Sequence, residues 1–171
     1  MWAAIADGAR AESRLWGDTL RASPLEEAVF SPLADERYAA GLETIYEGYL
    51  VHYGTPRLFA PPDGDSALLL GDYLYAHGLV RIAKAGDVGA VADLSELISL
   101  CSQLRAENAE GDGPLWAATA ALLGAGRDLD AARAALRLRG DASALDAVAR
   151  QAVGDDRVEA ALAAHAGRVP G

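Results

Sequence analysis

Glu43 and Glu47 stand four residues apart in GLETIYEGYL, so a helix through them sets two carboxylates on one face, one turn apart. Such a pair can hold a hard divalent cation, receive a partner's arginine, or stand in water as an ordinary polar face. The other reactive side chains are scattered. His52, His77 and His165 are far apart in sequence and none forms HExxH, so each reads as a surface or internally satisfied helix residue. Cys101 is the single cysteine, which excludes an internal disulfide and a cysteine-based zinc site. It falls on an apolar helical stripe and reads as a buried structural thiol. GDVGA at 86–90 lacks the GxGxxG spacing of a nucleotide cradle and reads as a turn between helices. Five of the six tyrosines lie between residues 46 and 75, a concentration that reads as an interface.

The elements that must position these residues are helical throughout. Residues 2–16 form a first amphipathic candidate. Ser23 before Pro24, with Glu26 and Glu27 following, predicts a second, short helix, and Ser31–Pro32 predicts a third that runs to about Tyr53. Leu42, Ile45, Tyr46, Tyr49 and Leu50 define its apolar face. TPRLFAPPDGD, with three prolines, is a loop, after which Asp65 or Ser66 caps an apolar helix to about Lys84. Asp87 opens the next helix, with Val91, Leu94, Leu97, Ile98, Cys101 and Leu104 on one stripe. ENAEGDG breaks the chain before GPLWAATAALLG, and three short helices follow near 128–138, 141–152 and 155–166. Gly154 ends one of these and Asp155 caps the next.

Composition agrees with an all-α protein, because alanine and leucine dominate while aromatics make up only 6%. A chain of 171 residues, 51% hydrophobic, suffices for one domain with a substantial core. The expectation is a single helical domain, 1–171, of about eight to nine helices. The net charge of −10 argues against sequence-independent nucleic-acid binding, which needs clustered cations. Lys84 is the only lysine, and this arginine, alanine and glycine skew suggests a GC-rich bacterial source. No apolar run reaches membrane length, and Asp7, Arg10, Glu12 and Arg14 interrupt the first segment, so neither a signal peptide nor a membrane span is expected. A lone cysteine fits a reducing cytoplasm.

From Glu43 to Asp72 the sequence ETIYEGYLVHYGTPRLFAPPDGDSALLLGD, continuing into YLYAHGLVRIAKAGD, resembles without a gap the middle of a polyprenyl diphosphate synthase. There a DDxxD motif leads into an RRGKPT-like turn and then a GDYLL-like helix start. The resemblance covers residues 37–123. It implies a truncated isoprenoid-synthase helical bundle, with Glu43 and Glu47 at the outer positions of the Mg²⁺-binding motif and Thr44 at the middle one. The diphosphate-gripping arginine pair falls on His52 and Tyr53, and the lysine of the turn on Thr55. Gly54, Pro56, Gly71 and Asp72 preserve the scaffold. Arg57, directly after Pro56, is outside the family pattern but near the same region. QAVGDD at 151–156 is the nearest counterpart of the second acidic motif, with one residue too many and Gly154 within it.

The resemblance therefore implies a non-catalytic partner or regulatory subunit in isoprenoid metabolism, associating with itself or with a full-length prenyl synthase. No cofactor is expected unless diphosphate binding persists, in which case Mg²⁺ would sit on Glu43 and Glu47, with Arg57 nearby. Two alternatives stay open: an Mg²⁺-dependent synthase subunit completed by a second chain, and a stand-alone module holding a prenyl lipid or another apolar molecule.

Overall fold

A computed structural model describes residues 1–169. Among them are nine α-helices and no strand, only an isolated bridge between Leu20 and Phe59. The helices are α1 (Trp2–Glu12), α2 (Arg14–Asp18), α3 (Ala39–Tyr53), α4 (Gly64–Ala83), α5 (Val88–Ala106), α6 (Asp112–Leu122), α7 (Asp130–Arg139), α8 (Ser143–Val153) and α9 (Asp155–Ala166). The expected all-α bundle is what forms. No described helix is long and apolar enough to cross a membrane.

A capping side chain marks the start of three of the described α-helices, α2, α4 and α5. Asp63 accepts from Ser66 N at 2.7 Å to begin α4, a role the sequence reading assigns to Asp65 or Ser66. Asp87 accepts from Ala90 N at 2.9 Å to begin α5, as expected. Ser13 is extended and caps Leu15, so the helix expected over 2–16 is two helices, α1 and α2. Gly154 stands at the junction of α8 and α9 with a φ of +91°, and Asp155 is the first residue of α9 rather than its cap.

The helix predicted after Ser23 is absent. Its backbone is engaged elsewhere: Leu25 N donates to Arg57 O at 3.1 Å, and Val29 N and Ser31 N donate to the Glu43 carboxylate. The chain enters α3 through two short 3₁₀ turns, Ser31–Leu33 and Glu36–Tyr38, instead of one continuous helix from Pro32.

α3 is the central element. Every residue from Gly41 to Val51 is buried, including the face opposite Leu42, Ile45 and Tyr49. α4 lies antiparallel along it, and the two backbones meet at glycines spaced by seven on each helix. A Cβ on Gly78 would lie 3.0 Å from Gly41 O and 2.4 Å from Ile45 Cγ1; one on Gly48 would lie 3.0 Å from Gly71 O. Gly41 thus faces Gly78 while Gly48 faces Gly71, and any side chain at these four positions would push the helices apart.

α6 crosses the other side of the core, where Trp116 stacks on Phe30 at 5.4 Å and meets Tyr46 edge-on at 5.1 Å. A smaller apolar cluster, including Ile5, Trp16, Phe59 and Leu70, fixes α1 and α2 over α4, helped by Arg81 Nη2 donating to Ala4 O at 2.7 Å. Tyr46 and Tyr49 are fully buried core residues, so that part of the tyrosine concentration packs the core.

Gly78→Val is expected to lower the urea midpoint, at a cost of roughly 1–3 kcal/mol from overpacking. Gly64→Ala, where an added Cβ meets nothing within 4 Å, leaves the midpoint unchanged or slightly raised.

Candidate functional site

Arg57 lies ten residues beyond Glu47, in the loop after α3, and the loop folds back so that its side chain reaches both glutamates. Nη1 donates to Glu43 Oε2 at 2.6 Å and Nε to Glu47 Oε2 at 2.9 Å. All three side chains are 0% exposed. The second oxygen of each carboxylate is equally occupied. Glu43 Oε1 accepts from Val29 N at 3.1 Å and Ser31 N at 2.9 Å; Glu47 Oε1 accepts from Arg57 N at 2.8 Å and Leu58 N at 2.7 Å.

The rest of the guanidinium is also engaged. Nη1 donates to Glu27 O at 2.7 Å, Nη2 to Glu43 O at 3.3 Å, and the rings of Trp2 and Tyr46 each lie 4.9 Å from its centre. Burial alone would favour the neutral form. The charges of Glu43 and Glu47 and their hydrogen bonds outweigh it, so the Arg57 pKa is raised and the group stays charged.

The structure thus brings together all three residues singled out from the sequence, Glu43, Glu47 and Arg57, and turns them toward one another. The carboxylates occupy neither a solvated helix face nor the wall of an open cavity. Among the described residues, no group of three or more His, Cys, Asp or Glu side chains is placed to hold a metal ion.

The neighbouring positions have other tasks. Thr44 Oγ1 donates to Ala40 O at 2.6 Å within its own helix. His52 is partly buried beside Asp72, with Nε2 to Oδ1 at 3.3 Å; burial lowers its pKa more than Asp72 raises it. Tyr53 donates to Ser102 Oγ at 3.3 Å, and Thr55 N donates to Arg168 O at 2.8 Å. His77 stacks on Tyr73 at 5.3 Å, and Cys101 is fully buried. Asp155 and Asp156 are exposed in the first turn of α9, where their charge suits the helix dipole.

A second polar cluster has no counterpart in the sequence reading. Asp112, at the start of α6, accepts hydrogen bonds from Tyr49 Oη and Arg105 Nη2, and its Oδ2 lies 3.4 Å from His165 Nε2. The other ring nitrogen of His165 is 3.0 Å from Tyr46 Oη. Burial would raise the Asp112 pKa, but the hydrogen bonds from His165, Tyr49 and Arg105 and the positive charge near it hold the group well below the usual carboxylate range. Tyr49 and Tyr46 are pushed above the ordinary tyrosine value, chiefly by burial. Residues 49, 105, 112 and 165 come from four different helices, so no local spacing signals the cluster.

No family model matches this chain, and neither the curated proteins nor the solved structures include a match to it.

Arg57→Met is expected to cost about 3–5 kcal/mol, since it leaves two buried carboxylates without their cation. Adding Glu43→Gln and Glu47→Gln recovers part of that loss in urea unfolding, because the charges go while carbonyl acceptors remain for the four backbone amides. Asp112→Asn is expected to cost about 2–3 kcal/mol at pH 7. The folded Asp112 pKa is depressed, so its contribution is present above the unfolded value of about 4 and fades as pH falls below it. The gap between wild type and Asp112→Asn, measured by unfolding across pH, should therefore close on acidification.

Proposed function

We propose that this chain is a non-catalytic helical protein, similar to part of a polyprenyl diphosphate synthase, acting as a partner or regulatory subunit in isoprenoid metabolism. The observation that carries this reading is the dry Glu43–Arg57–Glu47 cluster. At the positions where the resemblance places Mg²⁺ ligands, both carboxylates are saturated by an internal arginine and four backbone amides. Coordinating an Mg²⁺–diphosphate complex there would require breaking that buried ion network. The residues aligned with the diphosphate-gripping pair, His52 and Tyr53, are occupied by Asp72 and Ser102.

The outer face of α4 supports the partner half of the reading. Leu69, Asp72, Ala76, Val80 and Ala83 follow one another at helical spacing and all are exposed, with Asp72, at the edge of the stripe, reaching His52 of α3. Leu68 and Leu69 are each 56% exposed and Val80 49%, while Val88 at the start of α5 reaches 83%. Asp72 is the only charged residue in that stripe, an unusual makeup for a solvent-facing helix surface and suited to a helical partner.

Light scattering on eluting species tests the proposal, with the purified chain run alone and mixed with the complete polyprenyl diphosphate synthase of the same genome. A complex, lost when Leu69→Asp and Val80→Asp are combined, is the expected result. A chain that stays monomeric in both runs overturns the partner reading. Mg²⁺-dependent condensation of isopentenyl and allylic diphosphates by the isolated chain overturns the non-catalytic one.

A further inference from the structure

Helices α3, α5 and α9 end at one corner of the molecule, at Tyr53, Ala106 and Ala166, and α6 begins there. Between these ends lies a cleft of about 650 Å³, lined by these three residues and by Asp112, His165 and others. Its volume is that of a small-molecule site. It is separate from the buried Arg57 cluster and from the exposed face of α4.

Charge defines what this cleft can take. The last carbonyls of each helix carry a partial negative charge of roughly half an electron. Three such ends converge here, against the single positive end of α6. Arg105 lines the cleft as well, but its charge is paired with Asp112, a carboxylate held in its ionised form on the same wall. Glu110, on the wall of the same cleft, is exposed and takes part in no ion pair among the described residues. The cleft therefore carries a net negative field on a chain whose overall charge is already −10.

One wall is aromatic and held in place. The Tyr53 ring lies 5.3 Å from the Tyr49 ring and 5.5 Å from the His52 ring, and its hydroxyl is tied to Ser102. A fixed tyrosine ring and a carboxylate lining one cleft offer the recognition chemistry of amines and quaternary ammonium groups. Ala109 and Val169 add apolar wall.

We propose that this cleft is a binding site for a small organic cation: an amine or quaternary ammonium group on an apolar body, its charge toward Glu110 and the helix ends and held against Tyr53. This inference is independent of the partner reading.

Benzyltrimethylammonium, benzyl alcohol and benzoate share a ring and differ in charge, so titrating each into the full chain and following backbone amide resonances tests the assignment. Saturable binding of the cation is expected, with shifts at Tyr53, Asn108 and Glu110, at least about tenfold tighter than either other probe. Glu110→Gln, on an exposed side chain, should weaken the cation about three- to tenfold. Tyr53→Leu should do the same, whereas Tyr53→Phe, which keeps the ring, should bind like wild type. Benzoate binding as tightly as the cation, cation binding insensitive to both Glu110→Gln and Tyr53→Leu, or no saturable shift at this corner each overturns the proposal.

Discussion

The buried pairing of Arg57 with Glu43 and Glu47 is the interaction on which the rest of the structure depends. α3 runs through the middle of the protein and is covered on all sides from Gly41 to Val51, yet it carries two carboxylates one turn apart within that stretch. A dry helix can hold such charges only if a cation and enough donors reach them. The loop after α3 supplies the cation, and the irregular segment before it supplies two of the amides. The same contacts give the non-helical stretches on either side of α3 hydrogen-bond partners that a helix or sheet would otherwise provide. An ion cluster of this kind need not add net stability, because desolvation cancels much of the attraction. Its stronger effect is on which arrangement of loops around α3 is allowed.

The two polar clusters are not isolated from each other. The Tyr46 ring packs 4.9 Å from the Arg57 guanidinium, while its hydroxyl lies 3.0 Å from His165 Nδ1, beside Asp112. One α3 side chain therefore spans from the Arg57 loop to the C-terminal helix. Trp116 and Phe30 close around that tyrosine, so the aromatic core and the polar clusters are one packed unit.

Much of the helical organisation was legible because periodicity, prolines and acidic caps are local signals. Asp87 announces α5, and the proline-rich stretch after Gly54 announces a loop. The helix expected after Ser23 failed because its capping pattern competes with amides drawn to Glu43, a partner twelve to fourteen residues away. The i, i+4 spacing of Glu43 and Glu47 correctly put them on one face, but a helix buried all round gives no outward face for polar residues to mark. The sequence places Arg57 as a cation near that region; its burial between the two glutamates depends on how the loop folds back. The Asp112 cluster was invisible for a plainer reason. Its members meet only after α3, α5, α6 and α9 have packed.

The heptad spacing of the glycines has a consequence for how α3 and α4 find each other. Observed pairing sets Gly41 against Gly78 and Gly48 against Gly71. Sliding α4 by seven residues, a displacement of about 10 Å, would set Gly41 against Gly71 and Gly48 against Gly64. A glycine would then face a glycine in either register, so the glycine spacing by itself does not specify the alignment. The chain between α3 and α4 is anchored to α3 through the Arg57 and Leu58 amides on Glu47. That anchor limits how much chain is available to reach α4, so a charge cluster in the loop bears on an alignment that the glycine spacing alone leaves unspecified.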